Sequence, residues 1–304
     1  MEFVDRGKEQ KRLKRAFESE TKKFGVIYGR RRLGKSTLLK RVITDEDVYF
    51  EAGRQETQVQ ISLLAGTIAN LYSGFDMPLY PTWESVLTAF NKVCRENTVL
   101  VLDEFPYMVE KDSSLPSVLQ HILDSGELRY NLVICGSSQR MMQHFVLDST
   151  DPLYGRAHEK MNLRPIRPQH WQEAIHLDAV STIEEYSVWG GVPRYWTLRE
   201  EYPSLREAIN ELILDEHGIL YGEPSALFID EANDIAPFQS IMTALGHGNT
   251  RYSAVASAIG KKTTEISKPL NALTEMSYIS KEIPFGESEE KTKKTLYVID
   301  DNFM

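Results

Sequence analysis

Residues 24–42, FGVIYGRRRLGKSTLLKRV, constrain this chain more than any other stretch. Phe24 to Tyr28 is a short apolar run with β-branched residues, the pattern of a buried strand. Gly29 opens GRRRLGKS, which satisfies G-x-x-x-x-G-K-[ST] at every fixed position. Helix formers follow from Ser36 to Val42, with Leu38, Leu39 and Val42 on one face. Strand, glycine loop and helix in that order form a cradle for the phosphates of a nucleotide. Gly29 and Gly34 permit the close approach and the backbone angles such a loop needs. The free N–H groups at the helix start point a partial positive charge at the phosphates. The expected nucleotide-binding set is therefore Gly29, Arg30, Arg31, Arg32, Leu33, Gly34, Lys35, Ser36 and Thr37. Within it, the Lys35 ammonium would bridge β- and γ-phosphate oxygens and take part in catalysis, and the Ser36 hydroxyl would ligate Mg²⁺.

A second site lies about 70 residues further on, at the spacing this loop needs for a metal-binding partner. Thr98 to Leu102 is apolar enough for a strand buried on both faces, and it ends in Asp103-Glu104. Asp103 would hold Mg²⁺ through its water shell beside Ser36. Glu104 would orient or deprotonate the attacking water. Between the two motifs lie a further strand at 47–50 and helices at 57–72 and 82–95. That insertion indicates the P-loop branch with a catalytic glutamate and weighs against kinases and GTPases. There is no N-K-x-D guanine motif, so ATP is expected rather than GTP. Residues 131–135 read as a fourth strand, followed by Gly136-Ser137-Ser138-Gln139, and a short fifth strand falls near 161–163. Ser137 and Ser138 can each contact the γ-phosphate or the water, or cap the helix before Met141; both readings stand.

Composition bounds the rest. With 304 residues the chain has room for two or three domains, and its 41% hydrophobic and 26% charged content is that of a globular protein. No apolar run reaches the roughly 20 residues of a membrane span. The charged N-terminus lacks the apolar segment of a signal peptide. Cys94 and Cys135 are scattered thiols suited to a reducing cytoplasm, the expected location. A net charge of −9 argues against a surface that coats nucleic acid indiscriminately. Metal-hydrolase and acyl-transfer chemistries find no support, because neither H-E-x-x-H nor G-x-S-x-G occurs. Residues 1–23 read as an entry segment and a basic amphipathic helix, with Leu13, Ala16 and Phe17 inward and Arg6, Lys8, Lys11, Arg12, Lys14 and Arg15 solvated.

Residues 168–217 are helix-rich and interrupted by Gly190-Gly191-Val192-Pro193. Residues 235–299 follow the order of a winged helix: three helices, then strands at 278–284 and 295–299 joined by GESEEKTKK as the wing. From 251 to 283, Arg251, Lys261, Lys262, Lys268 and Lys281 outnumber Glu265, Glu275 and Glu282, a net of five minus three, or +2. Winged helices bind duplex DNA or proteins, and both partners stay open.

GRRRLGKS, VLDEF, CGSS, PLYGR and GGVP-x-Y, in this order and followed by a winged helix, resemble the archaeal-type ATPases of the STAND/AAA+ class. The resemblance covers nearly the whole chain. It implies an α/β P-loop NTPase core with an AAA+-like parallel sheet at 1–165, a helical lid at 166–228 and a winged helix at 229–304. It implies ATP binding and Mg²⁺-dependent, slow hydrolysis, used as a nucleotide-driven switch or machine. The alternative is a winged-helix DNA-binding regulator in which ATP is a structural or switching ligand. The segment Phe3-x-x-Arg6-x-x-Glu9 resembles one that lies near the adenine in such proteins. Ser137 then corresponds to a sensor of the γ-phosphate. Arg156 corresponds to an arginine finger reaching a neighbour's nucleotide in a homo-oligomer; otherwise it is a surface arginine pairing with Asp151 or Glu159. Pro193 falls where the lid touches the base, and Arg194 is a second sensor candidate. Relatives often continue past a Y-x-I-x-D stretch into a nuclease-like domain. Here Tyr297-Val-Ile-Asp300 begins that stretch, so the chain is either truncated or lacks the output domain, and no nuclease activity carries over.

Overall fold

The computed structural model describes all residues except 1, 2, 20, 230, 233, 289–291 and 293; four of the nine residues of the expected wing, 286–294, therefore lie outside the described residues. Contacts divide the chain into two compact units, residues 5–164 and residues 165–304 with the N-terminal residues through Val4.

The first unit is built on a five-stranded sheet: β1 (Phe24–Tyr28), β2 (Val48–Glu51), β3 (Val99–Asp103), β4 (Asn131–Gly136) and β5 (Glu159–Asn162). Their order is β2-β3-β4-β1-β5, and every pairing is parallel. The three interior strands are buried at every residue, whereas β2 alternates and β5 buries Met161 alone. This follows from covering both faces of a parallel sheet: only an edge strand can afford a polar residue at every second position. Seven helices complete the unit: α1 (Gly7–Phe17), α2 (Lys35–Val42), α3 (Thr57–Ala69), α4 (Trp83–Val93), α5 (Phe105–Lys111), α6 (Leu115–Asp124) and α7 (Gln139–Leu147). One face of the sheet, through Val26, Leu100, Leu102, Leu132 and Ile134, packs on Ile61, Leu64, Trp83, Phe90, Met108 and Leu119. The alternate residues Ile27, Val101 and Val133 face the other way. They are fully buried, as are Leu13 of α1 and Leu38 of α2. The helix expected at 57–72 ends at Ala69, leaving Leu71 exposed.

The second unit begins with helices: α8 (Pro168–Ile175), α9 (Ala179–Trp189), α10 (Pro193–Arg199), α11 (Leu205–Ile209), which runs into a π-helical turn at Asn210–Leu214, and α12 (Glu223–Ile229). Asp178 caps α9 through the N–H groups of Val180 and Ser181. Trp171 stacks on Trp196 with ring centroids 4.6 Å apart, and the Trp196 indole donates to the Gly190 carbonyl at 2.6 Å. Gly191 is required by a close approach, since a Cβ there would lie 2.1 Å from the Ile166 carbonyl oxygen. Next come α13 (Ala236–Gly246), α14 (Tyr252–Ala258) and α15 (Thr263–Glu275), then an antiparallel pair, β6 (Ile279–Glu282) and β7 (Leu296–Ile299). Ile241, Leu245, Val255, Ile266, Leu270 and Leu273 join these helices in one apolar cluster.

Two glycine substitutions separate close packing from helix propensity. Gly191→Ala is expected to destabilise the protein by more than about 1 kcal/mol, because the backbone of Ile166 must move. Gly66→Ala, in the middle of α3 with open space around its Cβ position, is expected to stabilise by about 0.5–1 kcal/mol. Calorimetric melting of the two variants beside the parent checks both signs.

Candidate nucleotide and metal site

The loop between β1 and α2 sits at the C-terminal edge of the central strand, where open α/β sheets place their ligands. Gly34 is left-handed (φ 84°) and is the N-cap of α2, a position that costs other residues strain. Arg32 is also left-handed, at φ 68°. Gly29 (φ 149°) has a different reason to be glycine. A Cβ there would come within 2.5 Å of the Leu163 carbonyl oxygen, so the loop's own packing against the end of β5 already demands it. Leu33 is buried and Arg31 and Arg32 are exposed. Thr37 is exposed in the first turn of α2.

The Lys35 ammonium is buried. It donates to the carbonyls of Gly29 at 2.8 Å and Arg30 at 3.1 Å. Among the described residues no carboxylate lies within ion-pair distance of it, and burial lowers its pKa. A buried cation held only by neutral carbonyls is suited to an anion. Across the loop, the Ser36 hydroxyl donates to Asp103 Oδ2 at 2.6 Å. Asp103 is buried at the end of β3, and its Oδ1 accepts from the Glu104 N–H at 2.9 Å. The Tyr49 hydroxyl from β2 donates to the same Oδ2 as Ser36. Cys135 lies beneath this group, and burial next to Asp103 pushes its thiol pKa well up, so it is a neutral core residue.

Glu104 has a left-handed backbone (φ 53°) and stands at the N-terminus of α5. Its Oε1 accepts from Ser137 Oγ at 2.6 Å and its Oε2 from the Ser137 N–H at 3.2 Å. Register explains the meeting: β3 pairs with β4 through Leu102↔Ile134, so Glu104 and Ser137 leave adjacent strand ends almost level. Ser138 does the other job, accepting from the Met141 N–H at the start of α7. The helix-cap role thus falls to Ser138, while Ser137 engages Glu104. Gly136 is required between them and β4, because a Cβ would meet Pro106 at 2.6 Å and Met142 at 2.9 Å.

Two residues, Arg6 and Arg156, stand apart from expectation. Arg6 is buried rather than solvated; its guanidinium donates to the Arg164 carbonyl at 2.6 Å and the Leu33 carbonyl at 3.4 Å, and pairs with Glu9. Left-handed Asp5 and Arg6 turn the chain inward before α1. Arg156 pairs with neither Asp151 nor Glu159. It forms a two-pronged ion pair with Asp124, at 2.8 and 2.7 Å, and donates to the Pro152 carbonyl at 2.8 Å. Asp151 is occupied with the Leu153 N–H, and Glu159 with Arg12. Pro193 belongs to the second unit, where it opens α10.

The oxygen donors fit a hard cation. Among the described residues no cluster of three or more His, Cys, Asp or Glu could cage a metal. One carboxylate and one hydroxyl beside a phosphate cradle is instead how Mg²⁺ is held when nucleotide supplies the remaining ligands.

The comparisons agree with this geometry. The model of a family described as an ATPase domain found predominantly in Archaea matches residues 3–195. The chain belongs to this family. A protein of Methanocaldococcus jannaschii is 30% identical over 311 residues, a match covering 99% of this chain and 67% of that protein. A Walker-type ATPase of Pyrococcus abyssi has a similar fold, with a TM-score of 0.73 at 18% identity, covering 99% of this chain and 94% of that one. This chain is an ATP-binding ATPase of that family.

The two serines can be separated experimentally. Ser138→Ala is expected to cost about 0.5–2 kcal/mol of stability through the lost cap. Ser137→Ala removes a hydrogen bond to a charged group worth about 1.5–3 kcal/mol, so ATP turnover is expected to fall about tenfold or more. Melting curves and steady-state turnover of both variants distinguish the two effects.

Proposed function

We propose that this protein hydrolyses ATP slowly with Mg²⁺ and uses the cycle as a switch for its C-terminal segment. The observation that carries the reading is the pairing of Ser36 with Asp103 at 2.6 Å while Glu104 is held separately by Ser137. One hydroxyl and one carboxylate stand at a metal position, and a second carboxylate is aimed by a neighbouring strand.

In this reading the backbone of residues 29–34 and the start of α2 enclose the phosphates. Lys35 leaves its two carbonyl partners to neutralise β- and γ-oxygens. Ser36 and Asp103 hold Mg²⁺, which when bound neutralises phosphate charge. Glu104 positions the attacking water and accepts its proton, a role worth about 10²–10⁴ in rate. Ser137 keeps Glu104 aimed and senses the γ-phosphate. Pro193 and the lid at 166–228 contact the base. Residues 229–304 act as a winged helix toward duplex DNA or a protein client.

Arg156 acts in trans in an oligomer. The Asp124 pair lies at the surface, where solvent and salt screen it. Release of Arg156 to a neighbour's nucleotide is therefore inexpensive.

ATP turnover per molecule, measured against protein concentration, tests the proposal. Lys35→Ala is expected to abolish ATP binding, and Glu104→Gln to keep binding while turnover falls about 10²-fold or more. A specific rate that rises with concentration and is lost in Arg156→Ala supports the oligomer. A rate independent of both concentration and Arg156 supports a monomeric switch. Turnover unchanged in Glu104→Gln removes that residue from the mechanism.

A further inference from the structure

We infer that Tyr49 is a positioning residue for Mg²⁺: its hydroxyl pins the Asp103 carboxylate in the orientation that lets Ser36 serve as a metal ligand. This rests on the ATPase reading above.

The argument starts from the alternation of β2. Val48 and Phe50 are buried in the main core, which turns Tyr49 to the opposite face. Register places Tyr49 level with Val101 on β3, two residues before Asp103 on the same face. A phenol is long enough to run along the neighbouring strand and deliver its hydroxyl to the carboxylate two residues on, and it reaches Asp103 Oδ2. The ring is also held from the other side. Lys40, one turn after Ser36 on α2, places its ammonium 4.7 Å from the ring centroid. Tyr49 therefore stands between the helix that carries Ser36 and the strand that carries Asp103.

The chemistry needs such a fixed point. The Ser36 hydroxyl can offer a lone pair to a cation only if its proton is directed elsewhere. Asp103 Oδ2, at 2.6 Å, receives that proton. A carboxylate free to turn would release it. The Glu104 N–H fixes Oδ1, and Tyr49 fixes Oδ2 from the β2 side. Asp103 is 1% exposed, so solvent is poorly placed to replace a lost donor. Donors of this kind, one step removed from the ion, typically govern metal affinity by about 10–100-fold.

Tyr49→Phe removes the hydroxyl and keeps the ring, its packing and the contact with Lys40. The test titrates Mg²⁺ into the full-length protein with a fluorescent, non-hydrolysable ATP analogue, beginning in EDTA, and records the melting temperature alongside. The expected result is a Mg²⁺ midpoint raised by about tenfold or more in Tyr49→Phe, with unchanged metal-free analogue affinity. An unchanged midpoint in a variant that melts like the parent overturns the positioning role and leaves the ATPase reading intact. A shift in metal-free affinity and melting temperature alone also overturns it, because a purely structural tyrosine gives that result. If the parent protein binds the analogue with no response to Mg²⁺, the ATPase reading and this inference fall together.

Discussion

A buried ammonium governs the nucleotide-binding unit. Lys35 sits in an environment that disfavours its charge, and two backbone carbonyls of its own loop hold it. Those carbonyls face inward because Gly34 takes a left-handed turn and Gly29 passes close to Leu163. The loop can close so tightly only because β1 is central, apolar at every residue and flanked by β4 and β5. Asp103 and Glu104 complete the balance by raising the favourability of the cation from neighbouring strand ends. Removing the positive charge would take from these two carboxylates the buried cation that faces them.

The main chain was largely legible in the sequence, because burial is legible. Central strands of a parallel sheet must be apolar on both faces, so 24–28, 99–103 and 131–136 stand out as short apolar runs. Side-chain partnerships were legible where they are local or where motif spacing joins them, as for Ser36 and Asp103, 67 positions apart. The cap at Ser138 lies three residues from its partner. By contrast, Arg6 looked solvated in a basic helix, yet its best partner is 158 positions away. Tyr49 read only as a strand residue, since its meaning depends on which strand lies beside it. Arg156 was matched with nearby acids and instead found Asp124, because Asp151 and Glu159 were already engaged.

The second unit is held by a different chemistry. Glu185 is buried, accepts from the Trp189 indole at 2.8 Å and pairs with Arg199 at 2.6 Å. Buried pairs of this sort contribute little net stability, but losing one partner strands a charge. Tyr195 links α10 to Glu223 at 2.7 Å and packs at a tilt against Phe303, ring centroids 4.6 Å apart, so the glycine-proline segment and the last residues of the chain share one side chain.

Arg6 carries a consequence of its own. Its guanidinium grips the carbonyl of Leu33, inside the phosphate loop, and that of Arg164, the last residue of the first unit. One rigid, planar group thus ties Leu33 to the residue at which that unit ends, so a shift of either carbonyl is felt by the other through the Arg6 guanidinium.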